Sequence, residues 1–226
     1  MKLSIIIPVY NEAGTLDELL EQVLAVPVEK EVLLVDDGSD QATKDLLQTA
    51  VHNGSVQLIT HPQNKGKGAA VCTGLEHVTG DVVIIQDADL EYDPQDYQGL
   101  LDVYRENQAQ AVYGVRDLSR RSRLMRWGNQ AMTAITNLLF GSRLHDMETC
   151  YKLIDRELMQ SLQLNSRGFE IEAEITAKLL LNKINIYEAP IKYDHREEGK
   201  KLTPWDGIPT VRTLLKYRFG GDKVRG

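Results

Sequence analysis

Three carboxylates fall at every second position in Val83-Ile84-Ile85-Gln86-Asp87-Ala88-Asp89-Leu90-Glu91, where an apolar run ends. In an extended chain, residues i, i+2 and i+4 point to one side. Asp87, Asp89 and Glu91 on one face would repel one another unless a cation lay between them, and hard divalent ions take oxygen ligands of this kind. The chemistry implied is a Mg2+ or Mn2+ ion carrying a phosphate. For a lone pair of aspartates, a polar turn after a core strand is an equally good reading, so the neighbouring segments decide.

Three further segments supply what a nucleotide diphosphate needs. Ser4-Ile5-Ile6-Ile7-Pro8-Val9-Tyr10-Asn11-Glu12 is an apolar strand running into a polar turn, and Glu31-Val32-Leu33-Leu34-Val35-Asp36-Asp37-Gly38-Ser39 repeats the plan. Both put hydrogen-bonding groups at a strand's carboxyl end, where open α/β sheets bind ligands. Asn64-Lys65-Gly66-Lys67-Gly68-Ala69-Ala70 reads as a flexible cationic loop before a helix, able to lie close to phosphates. It lacks P-loop spacing. Taken singly, the Asp36-Asp37 turn could be a helix N-cap and the Gly-Lys loop a solvated turn. Their occurrence together, in this order, favours the nucleotide reading.

The elements that must position these groups alternate. Apolar strand patterns at residues 3–8, 31–35, 56–60 and 81–86 are separated by helical patterns beginning near Gly14, Thr43 and Ala69. Leu16, Leu19, Leu20, Val23 and Leu24 give the first helix its face. Pro94 opens another helix and residues 111–115 read as a strand. Such alternation predicts an α/β fold, a mostly parallel central sheet with helices on both faces. Past Arg116 the pattern is less regular, and acceptor machinery is expected there.

The segments resemble the inverting family 2 glycosyltransferases of GT-A fold, and within them the dolichyl- and polyprenyl-phosphate sugar synthases. The resemblance rests on Pro8-Val9-Tyr10-Asn11-Glu12, Val35-Asp36-Asp37-Gly38-Ser39, Asn64-Lys65-Gly66-Lys67-Gly68, Asp87-Ala88-Asp89-Leu90, Tyr113-Gly114-Val115-Arg116, Asp146-Met147-Glu148-Thr149-Cys150-Tyr151-Lys152 and Arg196-Glu197-Glu198-Gly199-Lys200-Lys201. It covers nearly the whole chain. It implies a GT-A nucleotide-sugar-binding fold in which Pro8, Val9, Tyr10, Glu12, Val35, Asp37, Lys67, Asp87, Ala88 and Asp89 hold a GDP- or UDP-linked sugar. The implied acceptor is a polyprenyl phosphate. Two departures stand out. Gly199-Lys200-Lys201 is one residue shorter than the usual late basic motif, and Glu91 replaces a frequent amide of the mannosyl enzymes.

Composition agrees with one domain over residues 1–226, its first 115 residues serving donor and metal and the rest facing acceptor and membrane. Residues 1–115 carry 6 Lys and Arg against 19 Asp and Glu, whereas residues 116–226 carry 20 against 14. The acidic half suits a metal, and the basic half an anion. Nucleic acid is excluded as a partner because the chain is net acidic and its basic residues are not interleaved with aromatic ones. Two cysteines, Cys72 and Cys150, and an amino terminus that enters a strand at once predict a reduced, cytoplasmic setting. His52, His61, His77, His145 and His195 lack zinc spacing.

Without an apolar run of membrane-spanning length, a lipid acceptor would be met peripherally at the inner membrane face, unless a partner subunit supplies an anchor. Residues 119–144 are the candidate surface. Arg116, Arg120, Arg121, Arg123 and Arg126 cluster at or before the start of a helical stripe of Leu124, Trp127, Ala131, Ala134, Ile135, Leu138 and Leu139. That pattern suits an interfacial helix or a core-packed one. The basic stretch 212–225 could also touch anionic lipid, but reads rather as a solvated tail.

A phosphate monoester is already anionic at neutral pH, so the expected transfer needs cations rather than a base. Asp89 with its metal, Arg116 and Arg126 are the expected catalytic groups; Arg116, Arg126, Arg196, Lys200 and Lys201 are expected on the acceptor phosphate. A soluble relative acting on a glycan or glycolipid hydroxyl would instead need a base such as Asp146 or Glu172. Asp146 is equally readable as a helix cap. A non-catalytic nucleotide-sugar-binding module is the third possibility, against which the intact Asp87-Ala88-Asp89 speaks.

Overall fold

A computed structural model describes residues 1–52, 54–119, 122–194 and 207–220. Seven strands form one sheet in the order β3-β2-β1-β4-β6-β5-β7: β1 Leu3–Val9, β2 Lys30–Asp36, β3 Gln57–Thr60, β4 Val82–Ile85, β5 Ala111–Arg116, β6 Lys152–Asp155 and β7 Ile186–Ile191. Only β6 runs antiparallel to its neighbours. The helices are α1 Leu16–Ala25, α2 Gln41–His52, α3 Lys67–Leu75, α4 Tyr97–Glu106, α5 Arg123–Phe140, α6 Arg156–Ser161, α7 Ile171–Leu181 and α8 Gly207–Phe219, with a 3-10 turn at Pro94–Asp96. The expected α/β fold is present, and strands from both halves of the chain share its sheet.

The continuous apolar runs of β1, β2 and β4 follow from burial on both faces; Ile5, Ile6, Ile7, Leu34, Val82 and Ile84 are fully buried. From β1 the chain winds outward through β2 and β3, then returns to place β4 on the other side of β1. Right-handed crossovers therefore put α1 and α2 on one face and α3 on the other. The order reverses between β1 and β4, and that switch point opens a crevice at the strands' carboxyl ends. Because β6 is antiparallel to both β4 and β5, β5 also ends at this edge.

The opposite edge is closed by Glu31, whose carboxylate accepts from Lys2 Nζ (2.5 Å), Ser4 Oγ (2.6 Å) and the Thr79 and Gly80 amides (2.5 and 2.9 Å). Burial opposes its charge, but the bonds from Lys2, Ser4 and Thr79 lower its pKa from 4.5 to about 2. A carboxylate depressed on folding stabilises the native state above its unfolded pKa and loses that contribution as pH falls through the folded one. Wild-type stability should therefore drop between pH 4.5 and about 2, and Glu31→Gln should flatten that limb. Equal acid slopes in denaturant titrations of the two proteins would refute this role.

Candidate active site

The loops after β1, β2 and β4 converge at the switch point and are stitched together by polar bonds. Asn11, at φ 57°, accepts the Asp40 amide on Oδ1 (2.8 Å) and donates its own amide to Ser39 Oγ (3.2 Å). Thr15 Oγ1 lies 2.7 Å from the Ala88 carbonyl oxygen and 3.1 Å from Glu12 Oε2, fastening the first loop to the acidic one. Tyr10 is exposed, and Pro8 and Glu12 are half-buried. The side chains of Val9, Val35 and Ala88 lie in the core, so these residues can offer a ligand only backbone.

The acidic run is not the extended ladder expected from its spacing. β4 stops at Ile85, residues 88–90 form a turn, and Leu90 takes φ 61°. The cause is Gln86. It is fully buried, its Oε1 accepts the Tyr97 and Tyr151 hydroxyls at 2.5 Å each, and its Nε2 donates back to the Asp87 carbonyl oxygen at 2.9 Å. Alternation is therefore lost. Asp89 is buried and accepts the Glu91 amide at 3.2 Å, whereas Glu91 is drawn to Tyr193, whose hydroxyl donates to its Oε2 at 2.7 Å. Among the described residues, no three His, Cys, Asp or Glu side chains are grouped to hold a metal ion. Of the expected Asp87, Asp89 and Glu91, the last is thus bonded to the Tyr193 hydroxyl. Two carboxylates still suit Mg2+ or Mn2+, which ordinarily take one or two together with substrate phosphate oxygens.

Asp37, expected to read nucleotide donors, clamps the Gly-Lys loop. Its buried carboxylate accepts the amides of Lys65 (2.9 Å) and Gly66 (2.7 Å) and sits 2.7 Å from His61 Nδ1; His61 Nε2 lies 2.9 Å from Thr73 Oγ1. The two glycines serve packing more than flexibility. A Cβ on Gly66, at φ 99°, would overlap the Arg167 carbonyl oxygen, and one on Gly68 the Ser166 carbonyl oxygen.

Lys67, expected on the nucleotide sugar from a flexible cationic loop, opens α3 with its side chain 10% exposed. Nζ lies 2.7 Å from Asp87 Oδ1 and 3.3 Å from Glu172 Oε1, and Glu172 Oε2 lies 2.5 Å from the fully buried Lys152 Nζ. Charges alternate along Asp87, Lys67, Glu172 and Lys152. Burial opposes the charge of Lys67, but Asp87 and Glu172 hold its pKa well above the ordinary lysine value. With ammonium groups facing both oxygens, Glu172 has none directed at an incoming hydroxyl.

Arg116 closes β5 as a buried, bidentate partner of Asp146, Nε at 2.7 Å and Nη2 at 2.8 Å, with Nη2 also 2.7 Å from Asn129 Oδ1 on α5. These partners engage Nε and Nη2 of the guanidinium that was expected on an acceptor phosphate. Asp146 is neither helix cap nor free base: burial raises its pKa, but the Arg116 and Asn129 bonds leave it below the ordinary value. Arg126 is half-exposed on α5. Arg196, Lys200 and Lys201, like Arg120, Arg121 and His195, lie outside the described residues.

The sequence model of glycosyl transferase family 2 matches residues 4–166, which hold every one of these loops from Pro8 to Asp146. The chain belongs to that family. Similar curated family members include a low-salt glycan biosynthesis hexosyltransferase of Haloferax volcanii (27% identical, covering 94% of this chain and 53% of the relative). A dolichol-phosphate mannosyltransferase of Pyrococcus furiosus is 26% identical over 99% of this chain and 66% of its own. An undecaprenyl-phosphate 4-deoxy-4-formamido-L-arabinose transferase of Pseudomonas paraeruginosa is 32% identical over 70% and 48%. The chain spans about half to two thirds of the length of these relatives. Glucosyl-3-phosphoglycerate synthase of Mycobacterium tuberculosis, solved with UDP, shares the fold with a TM-score of 0.75 at 20% identity, over 96% of this chain and 80% of that one.

On this family 2 chain, α5 turns most of its apolar stripe outward, while Ile135 and Leu139 pack against the core. Leu124, Trp127, Ala131, Ala134 and Leu138 are exposed, while the buried face carries Asn129, Met132, Thr133 and Thr136. Leu124, Trp127 and Leu138 are 73%, 70% and 85% exposed, which removes the core-packed alternative for these positions. α8 is a packed helix, not the expected solvated tail: Thr210, Leu214 and Tyr217 are buried, and the Tyr217 hydroxyl donates to Glu174 Oε1 at 2.6 Å. Lys223 and Arg225 lie outside the described residues. Among the described residues no helix is long and apolar enough to cross a membrane.

Proposed function

We propose that this family 2 chain transfers a hexose, with inversion, from a UDP- or GDP-linked sugar to a polyprenyl phosphate at the cytoplasmic face of a membrane. The observation that carries this reading is α5. Its polar inner face is fastened through Asn129 to Arg116 and Asp146 at the ligand-binding edge of the sheet, and its apolar outer face has Arg123 and Arg126 at one end. Such a helix suits an interface of anionic head groups over acyl chains. Two of the similar relatives carry dolichol-phosphate and undecaprenyl-phosphate in their names, in support.

In the proposed reaction Asp87 and Asp89 would hold Mg2+ or Mn2+, which supplies charge neutralisation for the diphosphate leaving group. Tyr10 and Glu12, with the main chain of Val9 and Val35, would frame the nucleoside. The clamp of Asp37 on Lys65 and Gly66 keeps the start of α3 against that crevice. A lipid phosphate is anionic at neutral pH, so the chain has to bring two anions together rather than remove a proton. Arg126, Arg196 and Lys200 or Lys201 are assigned to the acceptor phosphate, and Arg116 to positioning α5. Attachment is peripheral through α5, an anchoring partner subunit being an addition to it.

The test combines the purified chain, Mn2+ or Mg2+, a panel of UDP- and GDP-sugars and a short-chain polyprenyl phosphate in detergent. Nucleotide diphosphate release that requires the lipid phosphate is expected; release that depends on a hydroxyl acceptor would overturn the reading. Trp127→Glu and Leu138→Glu together should weaken binding to anionic vesicles at least about tenfold, since each withdraws roughly 1.5–3 kcal/mol of apolar burial. Both sites are exposed, so the melting temperature should hold.

A further inference from the structure

The alternating ion pairs behind the acidic turn have a consequence for how the site is loaded. Among the described residues, Lys67 places a cation on Asp87, 2.7 Å from Oδ1. Its side chain is largely buried, so the pair is weakly screened. A second partner is already within reach, Glu172 Oε1 at 3.3 Å, with no hydrogen bond completed to that oxygen. Glu172 is itself fixed from the other side by Lys152, whose ammonium also donates to the Thr149 carbonyl oxygen. Lys67 thus stands between one carboxylate at the donor site and one anchored in α7.

We propose that Lys67 is a resident counter-ion of the donor site, neutralising Asp87 in the empty enzyme and drawn wholly onto Glu172 when Asp87 engages a divalent ion. The proposal rests on the assignment of Asp87 as a metal ligand. Two cations sharing one carboxylate at this range repel strongly in a partly buried setting. Lys67 is therefore an antagonist of metal binding, and Glu172 relieves the antagonism by taking the ammonium. Glu172 is a positioning residue that acts through Lys67 alone. The empty site also keeps Asp87 compensated, which limits the penalty of an unpaired carboxylate at the crevice.

The experiment follows Mn2+ binding to the donor-free protein by the electron paramagnetic resonance signal of unbound Mn2+, so no turnover is involved. Lys67→Met should bind Mn2+ about tenfold more tightly than wild type, the factor of one modest charge repulsion removed. Glu172→Gln should bind it several-fold more weakly, because Asp87 is then the carboxylate left to Lys67. The double variant should behave as Lys67→Met. Partial unfolding weakens binding in any variant and cannot produce opposite signs. Lys67→Met binding no more tightly than wild type, or no Mn2+ bound by any variant, would overturn the proposal. Asp87→Asn separates the two levels: if it leaves Mn2+ affinity unchanged, the metal assignment itself is wrong. If it abolishes binding while Lys67→Met changes nothing, only the counter-ion role falls.

Discussion

Replacing Asp89 with alanine should lower sugar-dependent nucleotide diphosphate release by about a thousandfold, the scale on which a well-placed charge-stabilising group is lost. Asp89 sits at the centre of the acidic turn, at the switch point where the sheet opens. It has a local task as well, accepting the Glu91 amide on Oδ1 beside the left-handed Leu90. Alanine removes both the charge and that bond. Asparagine keeps an acceptor of the same shape and removes only the charge, so Asp89→Asn should melt as wild type does while losing activity nearly as fully. Steady-state release assays with thermal melts distinguish the effects. Asp89→Asn retaining a tenth or more of wild-type turnover would remove Asp89 from the metal-binding assignment.

The second large effect is on stability. Arg116→Met should cost about 3–5 kcal/mol, because it strands Asp146, 2% exposed, with Asn129 at 3.2 Å as the one remaining side-chain partner among the described residues. Removing both charges in Arg116→Met/Asp146→Leu should recover most of that loss, since a buried pair often contributes little net stability over apolar residues of similar size. Denaturant midpoints at neutral pH measure both. Asn129 belongs to α5, so the single variant should also loosen that helix and weaken vesicle binding. If Arg116→Met kept the wild-type midpoint and raised only the KM for lipid phosphate, the guanidinium would be an acceptor ligand after all.

Much of the scaffold was legible in the linear chain. Continuous apolar runs marked β1, β2 and β4 because strands buried on both faces need no polar alternation. The reversal that opens the site follows from alternating strands and helices joined by right-handed crossovers. The loops after β1, β2 and β4 were found from their polar residues alone, since a ligand at a switch point has to be met by strand ends. Glu172 was visible only as a minor candidate, and His61, assigned no role, carries no local signal at all.

What the sequence by itself determined was the fold class, the edge of the sheet that holds the site and the residue types available there. Which groups are committed to one another was decided only by the tertiary structure. Lys67 and Asp87 are twenty residues apart, Arg116 and Asp146 thirty, Lys67 and Glu172 over a hundred. Spacing rules reach a few residues along a strand or helix and say nothing about pairs that folding brings together. For the same reason the extended ladder of Asp87, Asp89 and Glu91 is absent: β4 ends at Ile85, Leu90 takes a left-handed φ, and Gln86 is held by the distant Tyr97 and Tyr151 hydroxyls. The two readings of the α5 stripe separated likewise on packing: the helix turns Asn129, Met132, Thr133 and Thr136 inward, where it meets α7 and α8, and leaves Leu124, Trp127 and Leu138 outside.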